Sequence, residues 1–295
     1  MKTTQEHSFI SADIHHHKSE ITSLGITGYG TSTTKELSIL KSISECVERY
    51  YFKTYFSKRG HTTSNGLACG SSPNTAMESA SLELAERHIL ISHWHSKIAP
   101  HWIENSMYES ILNPHELTLV SIFQDLGYKI KFGILGLVNS KYVCTAAIKK
   151  TNCTGYAIAT SASSELSTSL SKCLEDSLRI VDLIEGRTYS NLPLYKHILE
   201  DDVKYPKDHL EYYLNPNNWE QHDWFFQSNP DIRSYALNDL TTEYIKDEIL
   251  SELPLFIGAA KSVSCQNMYF GKLRPSVLTN TNLSNLKNTC LHPLA

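Results

Sequence analysis

The pattern Glu-x-x-Glu-Arg occurs twice, first in Ser42-Ile-Ser-Glu45-Cys-Val-Glu48-Arg49 and then in Ala80-Ser-Leu-Glu83-Leu-Ala-Glu86-Arg87. Both copies lie in sequences typical of helices, where residues three and four apart share a face. Each copy therefore presents two carboxylates and a guanidinium on one patch, and the carboxylates repel each other unless a cation, a proton or water relieves them. Brought together, the two patches would form a four-carboxylate cage suited to Mg²⁺, with the arginines available for phosphate oxygens.

The surroundings of the two copies differ. The first predicted helix has one apolar stripe, formed by Leu40, Ile43, Val47 and Tyr50. Its charged residues lie away from that stripe, so a solvated face is an alternative interpretation of the first copy. The second predicted helix is apolar nearly all round, which is typical of a buried helix, and a buried ionised glutamate needs a partner. A shared functional site is favoured over the alternative, an internal ion-pair network.

A third predicted helix repeats part of the pattern. It begins near Glu165 and has the same Glu-to-Arg spacing of four at Glu175 and Arg179, with Leu178 in the position of the second glutamate. Two interpretations stay open. The pair is either an ordinary ion pair between successive turns or a further contribution to the site.

The composition excludes several classes of protein. The chain has 295 residues, a net charge of −4, 41% hydrophobic residues and 20% charged residues, which is typical of a globular protein without a nucleic-acid footprint. The N-terminus is polar and no apolar run is long enough for a membrane span, so we expect a cytoplasmic protein. Seven scattered cysteines without a Cys-x-x-Cys pair argue against disulfides and structural zinc. The histidines in His15-His16-His17 and His93-Trp94-His95 are weak candidates for a metal site.

The rest of the chain alternates between helix and strand signals. The clearest helix starts at Asn113-Pro114 and ends before Gly127, because a capping box, a proline in the first turn and a glycine mark its bounds. Further expected elements are strands at 128–137, 141–148, 156–160 and 255–263, a turn at Asn139-Ser140 and a helix at 241–253. Hairpins interleaved with helices predict an α/β protein with mixed, largely antiparallel sheets and packed helices.

Three blocks of sequence closely resemble the signature of the YcaO family. They are Ser42-x-x-Glu45-x-x-Glu48-Arg49-Tyr50, Ser64-Asn65-Gly66-Leu67-Ala68-x-Gly70 and Ala76-x-x-x-Ala80-x-x-Glu83-x-x-Glu86-Arg87. The segments Ala260-Lys261-Ser-Val-Ser, Tyr269-Phe270-Gly271 and Cys290-Leu-His292-Pro293 are also similar to that family. The resemblance predicts one YcaO-like domain over 1–295, with a short N-terminal segment 1–27, an ATP- and Mg²⁺-binding part 28–185 and a C-terminal part 186–295.

The resemblance implies a fold that holds ATP through Mg²⁺ ions bound by Glu45, Glu48, Glu83 and Glu86. It places Arg49, Arg87 and Arg179 near phosphate oxygens, and Ser42 and Asn65 as further polar contacts with ATP. Members of the family use ATP to phosphorylate a backbone amide oxygen of a peptide. In azoline-forming members a Cys, Ser or Thr side chain then attacks that amide and phosphate leaves, which produces a thiazoline or oxazoline. Other members form thioamides or amidines.

Two departures from the family pattern concern the nucleotide site. Members usually carry a lysine between the glycines ahead of the first block, whereas this chain has Gly28-Tyr29-Gly30, which leaves Lys18 as a substitute. An acidic residue commonly precedes the alanine at position 76, and this chain has Thr75 there. Both departures suggest that activity depends on a partner.

The resemblance also predicts partners. No segment resembles a peptide-clasp or ubiquitin-activating-like domain, which azoline-forming systems use to bind the leader of the precursor peptide. We therefore expect an ATP-dependent peptide cyclodehydratase in a complex with a precursor peptide, a leader-binding partner and a flavin dehydrogenase, as in synthetases of thiazole- and oxazole-containing microcins. The alternatives are a thioamide- or amidine-forming enzyme and a non-catalytic partner subunit, against which the four intact glutamates argue.

The C-terminal tail is the last predicted part of the site. In azoline-forming members of the family that the chain resembles, the tail lies in the active site. We predict that residues 291–295 dock at the glutamates, with His292 as general acid or base and Pro293 limiting the backbone freedom lost on docking. The alternative is a tail packed for stability alone. Removal of residues 292–295 should then reduce ring formation and spare ATP binding and the melting temperature.

Overall fold

The computed structural model describes residues 1–59, 63–245 and 255–294. Its strands are β1 (Lys2–Glu6), β2 (His15–Ile21), β3 (Ile26–Ser32), β4 (Leu67–Gly70), β5 (His101–Trp102), β6 (Tyr128–Val138), β7 (Lys141–Lys150), β8 (Ala157–Ser163), β9 (Ser234–Tyr235), β10 (Thr241–Ile245) and β11 (Phe256–Lys261). Its α-helices are α1 (Lys35–Tyr51), α2 (Pro73–Ser96), α3 (Asn105–Ile111), α4 (Pro114–Asp125), α5 (Leu166–Tyr189), α6 (Pro206–Leu214) and α7 (Asn280–Ser284). None of the helices in these ranges is long and apolar enough to cross a membrane.

The contacts divide the chain into two compact units. The first unit comprises Met1–Leu84 and Asn238–Cys265, and the second comprises Ala85–Leu237 and Gln266–Ala295. The division falls inside α2, so this helix contributes its first half to one unit and its second half to the other. The prediction of a single domain over 1–295 stays a prediction.

The first unit contains two antiparallel sheets, with strand orders β1-β2-β3 and β10-β11-β4. Helix α1 packs on β2, β3 and β4. The apolar core between the helix and the second sheet is formed by Val47, Tyr51, Phe56, Leu67, Leu255, Ile257 and Ala259. Against β3 the helix buries small side chains instead, namely Ser38, Ser42 and Cys46.

Two glycines of β3 explain why small residues of α1 lie at this contact. A Cβ added at Gly28 would stand 2.8 Å from Cys46 Cα, and one added at Gly30 would stand 2.6 Å from Ser42 N. Glycine inside a strand is typical of such a close approach by another backbone. Because the helix turns its small residues toward β3, Leu40 is 47% exposed, and the predicted apolar stripe is wrong at that position.

The second unit is built on a five-stranded sheet with the order β5-β6-β7-β8, in which β9 also pairs with β6. The pairs are antiparallel except for the parallel pair of β6 and β9. Helix α5 packs on β7 and β8, and α4 packs on β6. An aromatic core gathers Trp94 from α2 with Tyr213, Trp219 and Phe225. The prediction of an α/β fold with mixed, largely antiparallel sheets is confirmed.

Most predicted elements agree with the structure, and two regions differ. The helix at 114–125 has the expected capping box, and the predicted strands correspond to β6, β7, β8 and β11. The prediction of a helix at 241–253 is wrong for Thr241–Ile245, which pair with β11 as a strand, while 246–253 lie outside the described residues. Strands β1 and β2 fall in the N-terminal segment for which the sequence predicted no strand.

Candidate functional site

The first Glu-Arg patch lies on α1 beside β3. The carboxylate of Glu45 accepts a hydrogen bond from the backbone N–H of Tyr29 at Oε2, and its Oε1 lies 2.6 Å from Nη2 of Arg49. The same arginine donates from Nη1 to the carbonyl of Thr27 at 2.7 Å. The interpretation of this patch as a freely solvated face is therefore wrong for Glu45, whose carboxylate is fixed in orientation.

Glu48 lies one turn further along α1 and faces β4. Its Oε1 accepts the backbone N–H of Cys69 at 2.7 Å. Burial raises the pKa of Glu48 to about 7, and the charge of Glu45 adds to the rise, while the Cys69 N–H and Arg49 act in the opposite direction. A carboxylate in these surroundings is stabilised by a nearby cation, so the residue suits a metal ligand.

Asn65, in the turn before β4, carries the clearest sign of a missing ligand. Both its amide nitrogen and its amide oxygen are buried, and neither has a hydrogen-bond partner in the described part of the chain. A buried polar group without a partner costs about 1–3 kcal/mol, so such groups are rare in folded proteins. A polar ligand in the first unit would satisfy this amide. Asn65 therefore fits a role in holding ATP or its hydrated metal.

The second Glu-Arg patch lies on α2. Glu83 is partly buried and belongs to the first unit, whereas Glu86 and Arg87 belong to the second. Glu86 Oε1 accepts the hydroxyl of Thr160 at 2.6 Å and lies 2.7 Å from Nη1 of Arg87, which also donates to Thr160 at 3.2 Å. Burial raises the pKa of Glu86, and Arg87 and the Thr160 hydroxyl oppose that rise. The predicted burial of this helix around its charges is confirmed.

The remaining predicted ATP contacts have different surroundings. Ser42 is fully buried, and its hydroxyl contacts Ser19 Oγ at 2.8 Å and donates to the Ile39 carbonyl at 2.8 Å. Its contact with ATP stays a prediction, and in the structure it joins α1 to β2. Arg179 is exposed on α5, where Leu178 is fully buried. The position of Leu178 explains why no second glutamate stands there, because that side of α5 faces the core.

The tail is packed in the second unit rather than frayed. Residues 291–294 are buried, and Leu294 forms a parallel bridge with Ile158 of β8, two residues before the Thr160 that contacts Glu86. His292 donates from Nε2 to the Tyr269 carbonyl at 2.6 Å, and its Nδ1 is buried without a partner among the described residues. Burial lowers the pKa of His292 well below its ordinary value, and His209 adds to this effect.

Four backbone carbonyls in residues 288–292 accept hydrogen bonds from side chains. The donors are His95 Nδ1 to Asn288 O (2.9 Å), Trp94 Nε1 to Cys290 O (3.1 Å), Tyr213 OH to Leu291 O, and His209 Nδ1 to His292 O (2.8 Å). Buried backbone groups need such partners. The expectation that removal of 292–295 spares the melting temperature therefore needs revision, since that change would remove buried side chains and one of these bonds.

No three His, Cys, Asp or Glu side chains within 1–59, 63–245 and 255–294 are grouped as ligands of one metal ion. Mg²⁺ is usually held by one or two carboxylates together with phosphates and water. Within the first unit, Glu45, Glu48 and the unpaired Asn65 amide fit that mode of binding. The closed four-carboxylate cage stays a prediction.

Three partners of the site could not be found from the sequence pattern. They are the backbone N–H groups of Tyr29 and Cys69 and the hydroxyl of Thr160. Backbone groups carry no sequence signal, and Thr160 lies 74 residues from Glu86. The signals near them are Gly28-Tyr29-Gly30, where the glycines mark the close approach of α1, and the block at residues 64–70, which contains Cys69.

Comparisons with known proteins identify the family of the chain. The chain matches the model of the YcaO cyclodehydratases, described as binding ATP and Mg²⁺, over residues 51–251. This range includes Asn65, Glu83, Glu86, Arg87 and Arg179 and leaves out the first patch. A search of curated proteins gives no match.

Solved structures share the fold at low sequence identity. The YcaO protein from Methanopyrus kandleri bound with AMPPCP and Mg²⁺ is 12% identical, with a TM-score of 0.62 over 95% of this chain and 91% of that one. A chain of the E. coli microcin synthetase McbBCD complex is 10% identical, with a TM-score of 0.68 over 99% of this chain and 96% of that one. A heterocyclase in complex with substrate and cofactor is 10% identical, with a TM-score of 0.62, and this chain covers 50% of it. From its sequence match and its fold, the chain belongs to the YcaO cyclodehydratase family, whose cofactors are ATP and Mg²⁺.

Proposed function

We propose that this protein activates a backbone amide of a ribosomally made peptide with ATP, so that a Cys, Ser or Thr side chain closes a thiazoline or oxazoline ring. The observation that carries the site is the buried, unpaired Asn65 amide in the unit that also contains Glu45, Glu48 and Glu83. Likeness to a heterocyclase and to a microcin synthetase chain favours ring formation over thioamide or amidine formation.

The acidic and the basic residues of the proposed site have different roles. Glu45, Glu48, Glu83 and Glu86 would hold Mg²⁺, and Arg49, Arg87 and Arg179 would neutralise phosphate oxygens. ATP supplies the phosphoryl group that makes the amide oxygen a leaving group. The Thr160 hydroxyl keeps the Glu86 carboxylate in place between Arg87 and β8. The nucleophile belongs to the substrate, so the chain itself needs no activated Cys or Ser.

His292 has properties that suit one of its two predicted roles. Its Nε2 is used as a donor to a carbonyl, so in the neutral ring Nδ1 carries a lone pair. Because its pKa is lowered, the ring stays neutral at physiological pH. We therefore propose His292 as a base or hydrogen-bond acceptor rather than an acid, with Pro293 fixing the adjacent backbone.

We further propose that the protein acts with partners. A related structure of the microcin synthetase McbBCD complex contains the peptide pro-MccB17. By analogy, this chain would act with a precursor peptide, a leader-binding, ubiquitin-activating-like subunit and a flavin dehydrogenase that oxidises the rings. Incubation with the precursor, partner and ATP should give a loss of one water per ring by mass spectrometry. Exchange of oxygen for sulfur, which raises the mass, would instead identify thioamide chemistry. An amidine made with an amine of the same peptide also loses one water, so fragmentation of the product would have to place the new bond on an amine rather than on a Cys, Ser or Thr side chain.

The glutamate site is tested directly by Glu83→Gln. This change keeps the shape of the side chain and removes the charge that a Mg²⁺ ligand needs, so Mg²⁺-dependent binding of ATP should be abolished while the melting temperature is kept. The measurement is calorimetry with the partner present. The matched control is Glu78→Gln, an exposed glutamate on the same helix, which should bind ATP like the unmodified protein. Unchanged affinity in Glu83→Gln would remove the basis of the proposed site.

A further inference from the structure

The open side of β3 is covered by a row of charged side chains. β3 is the terminal strand of the order β1-β2-β3, so one side of its backbone has no neighbouring strand within the described chain. Three residues at intervals of four along α1 bind backbone groups of β3: Lys41 Nζ donates to Thr31 O (3.3 Å), Glu45 accepts from Tyr29 N–H, and Arg49 Nη1 donates to Thr27 O (2.7 Å). Four residues further on, after the end of α1, Lys53 Nζ donates to Leu24 O (2.9 Å) in the turn before β3. We name these four side chains the edge row.

The spacing of the edge row follows from the geometry of its two elements. Side chains four apart lie on one face of a helix, and backbone groups of alternate residues point to one side of a strand. Thr27, Tyr29 and Thr31 alternate in this way along β3. Gly28 and Gly30 lie between them and allow the close approach of α1 that brings the row into hydrogen-bond distance.

The hydrogen bonds of Glu45 leave room for a metal. One carboxylate oxygen accepts the Tyr29 N–H and the other contacts Arg49. Each carboxylate oxygen has two lone pairs, so both oxygens keep one for a cation. Side chains that bind metals are usually oriented by such outer hydrogen bonds, and loss of one typically lowers the affinity for the metal about 10–100-fold.

We propose that the backbone N–H of Tyr29 is a positioning group for the metal ligand Glu45, and that Lys53 is a positioning residue that ties the segment after α1 to the turn before β3. This inference rests on the role of Glu45 in the proposed function. It gives the Gly28-Tyr29-Gly30 segment a purpose that requires no lysine between the glycines. The strand edge presents its N–H to the carboxylate, and the glycines set the distance.

The test compares Tyr29→Pro with Tyr29→Ala. Both remove the aromatic side chain, and only proline removes the N–H. That N–H points to the glutamate rather than to β2, and proline is tolerated at such edge positions. We expect the Mg²⁺ concentration for half-maximal binding of AMPPCP to rise about tenfold in Tyr29→Pro relative to Tyr29→Ala, measured by calorimetry. An equal Mg²⁺ requirement in the two variants would overturn the proposal.

A second pair of variants covers the case in which Tyr29→Pro does not fold. Lys53→Met should raise the Mg²⁺ requirement severalfold and Lys53→Arg should keep it near that of the unmodified protein, because a guanidinium also carries N–H donors for the Leu24 carbonyl. A change in melting temperature without a change in Mg²⁺ requirement would contradict the inference. Because nucleotide binding is measured instead of ring formation, the outcome is separate from that of the proposed reaction. Loss of binding in Glu83→Gln together with unchanged binding in both test variants would overturn this inference alone.

Discussion

In the ligand-free protein at pH 8, Glu48 is ionised in surroundings that favour its neutral form. Its pKa is raised from 4.5 to about 7 by burial, with the charge of Glu45 as a further cause. The folded state therefore holds this proton more tightly than the unfolded state does. Binding of this proton thus adds to the free energy of unfolding. That contribution is complete below pH 4.5 and is lost as the pH rises through 7. Carboxylates with a function are often retained in such unfavourable surroundings, at the expense of the stability of the protein.

Glu48→Gln should therefore stabilise the metal-free protein at high pH. Glutamine has no charge to bury, so we expect a higher free energy of unfolding at pH 8, by about 1–3 kcal/mol, and little difference at pH 4.5. Urea denaturation at both pH values measures this. Saturating Mg²⁺ and ATP should reverse the order at pH 8, because only glutamate binds the metal well. A variant that is less stable than the unmodified protein at pH 8 would show that Glu48 has a purely structural partner.

At the scale of elements, the tail and α2 form a connected structure in the second unit. His95 and Trp94 of α2 donate to the carbonyls of Asn288 and Cys290, which precede the tail. Glu86 of the same helix is bound to β8, with which Leu294 of the tail forms a bridge. His292 itself is held by Tyr269 and His209. Its Nδ1 is buried without a partner among the described residues, and in the proposed function this atom would accept a hydrogen bond from the substrate.

The role of that atom is separated from packing by His292→Gln and His292→Asn. Glutamine places an N–H donor near the position of Nε2 and loses the Nδ1 acceptor, so the bond to the Tyr269 carbonyl is kept. Ring formation should fall by about 100-fold or more in His292→Gln, with ATP binding unchanged. Asparagine places its oxygen near Nδ1 and should retain more activity despite a lower melting temperature. Equal ring formation in His292→Gln and the unmodified protein would leave the tail with a stabilising role alone.

At the scale of the whole molecule, the second unit depends on neutral buried histidines. Burial lowers the pKa of His93 to about 3 and of His222 to about 4, and it lowers the pKa of His95, His209 and His292 as well. In His209 and His95, Nδ1 donates to a carbonyl and Nε2 accepts a hydrogen bond. A second proton on either ring would break the accepting bond.

Stability of the second unit should therefore fall with acid. Because the pKa values of these histidines are lower in the folded state, their neutral rings add to the free energy of unfolding. This contribution is complete above pH 6.5 and is lost as the pH falls toward the folded pKa values. Each buried histidine can lower the free energy of unfolding by about 1 kcal/mol per pH unit in that range. Tryptophan fluorescence during urea denaturation reports on this unit through Trp94, Trp219 and Trp224. A urea concentration at the unfolding midpoint that is constant between pH 7 and pH 5 would contradict the assignment of neutral histidine rings.

Local signals in the sequence were enough to predict several elements. The capping box at Asn113 and Glu116 gave the start of α4, and Asn139 and Ser140 take the positive φ angles of a tight hairpin turn between β6 and β7. The charged pattern itself identified α1 and α2 and the family. These features depend on residues close in sequence, so their physical causes are visible there.

Other features depend on distant partners and were not predictable. Thr241–Ile245 have a sequence compatible with a helix and become a strand because β11 offers a ladder of backbone partners. In β2, His17 and Ser19 are buried against hydroxyls of α1, so the strand lacks the apolar alternation that would have marked it. The surroundings of Glu86 require Thr160, which the pattern of α2 alone does not contain.

The hydrogen bonds between Trp94 and residues 288–290 have a consequence for folding during synthesis. Trp94 and Asn288, and likewise Trp94 and Cys290, are joined by bonds that span 194 and 196 residues. A ribosome must therefore translate a further 194 residues after Trp94 before α2 obtains the first of these partners. Until then Trp94 faces an unfinished core, and a nascent chain released early would expose that aromatic surface to chaperones and proteases. Completion of this core thus waits until residues 288–290 have been synthesised.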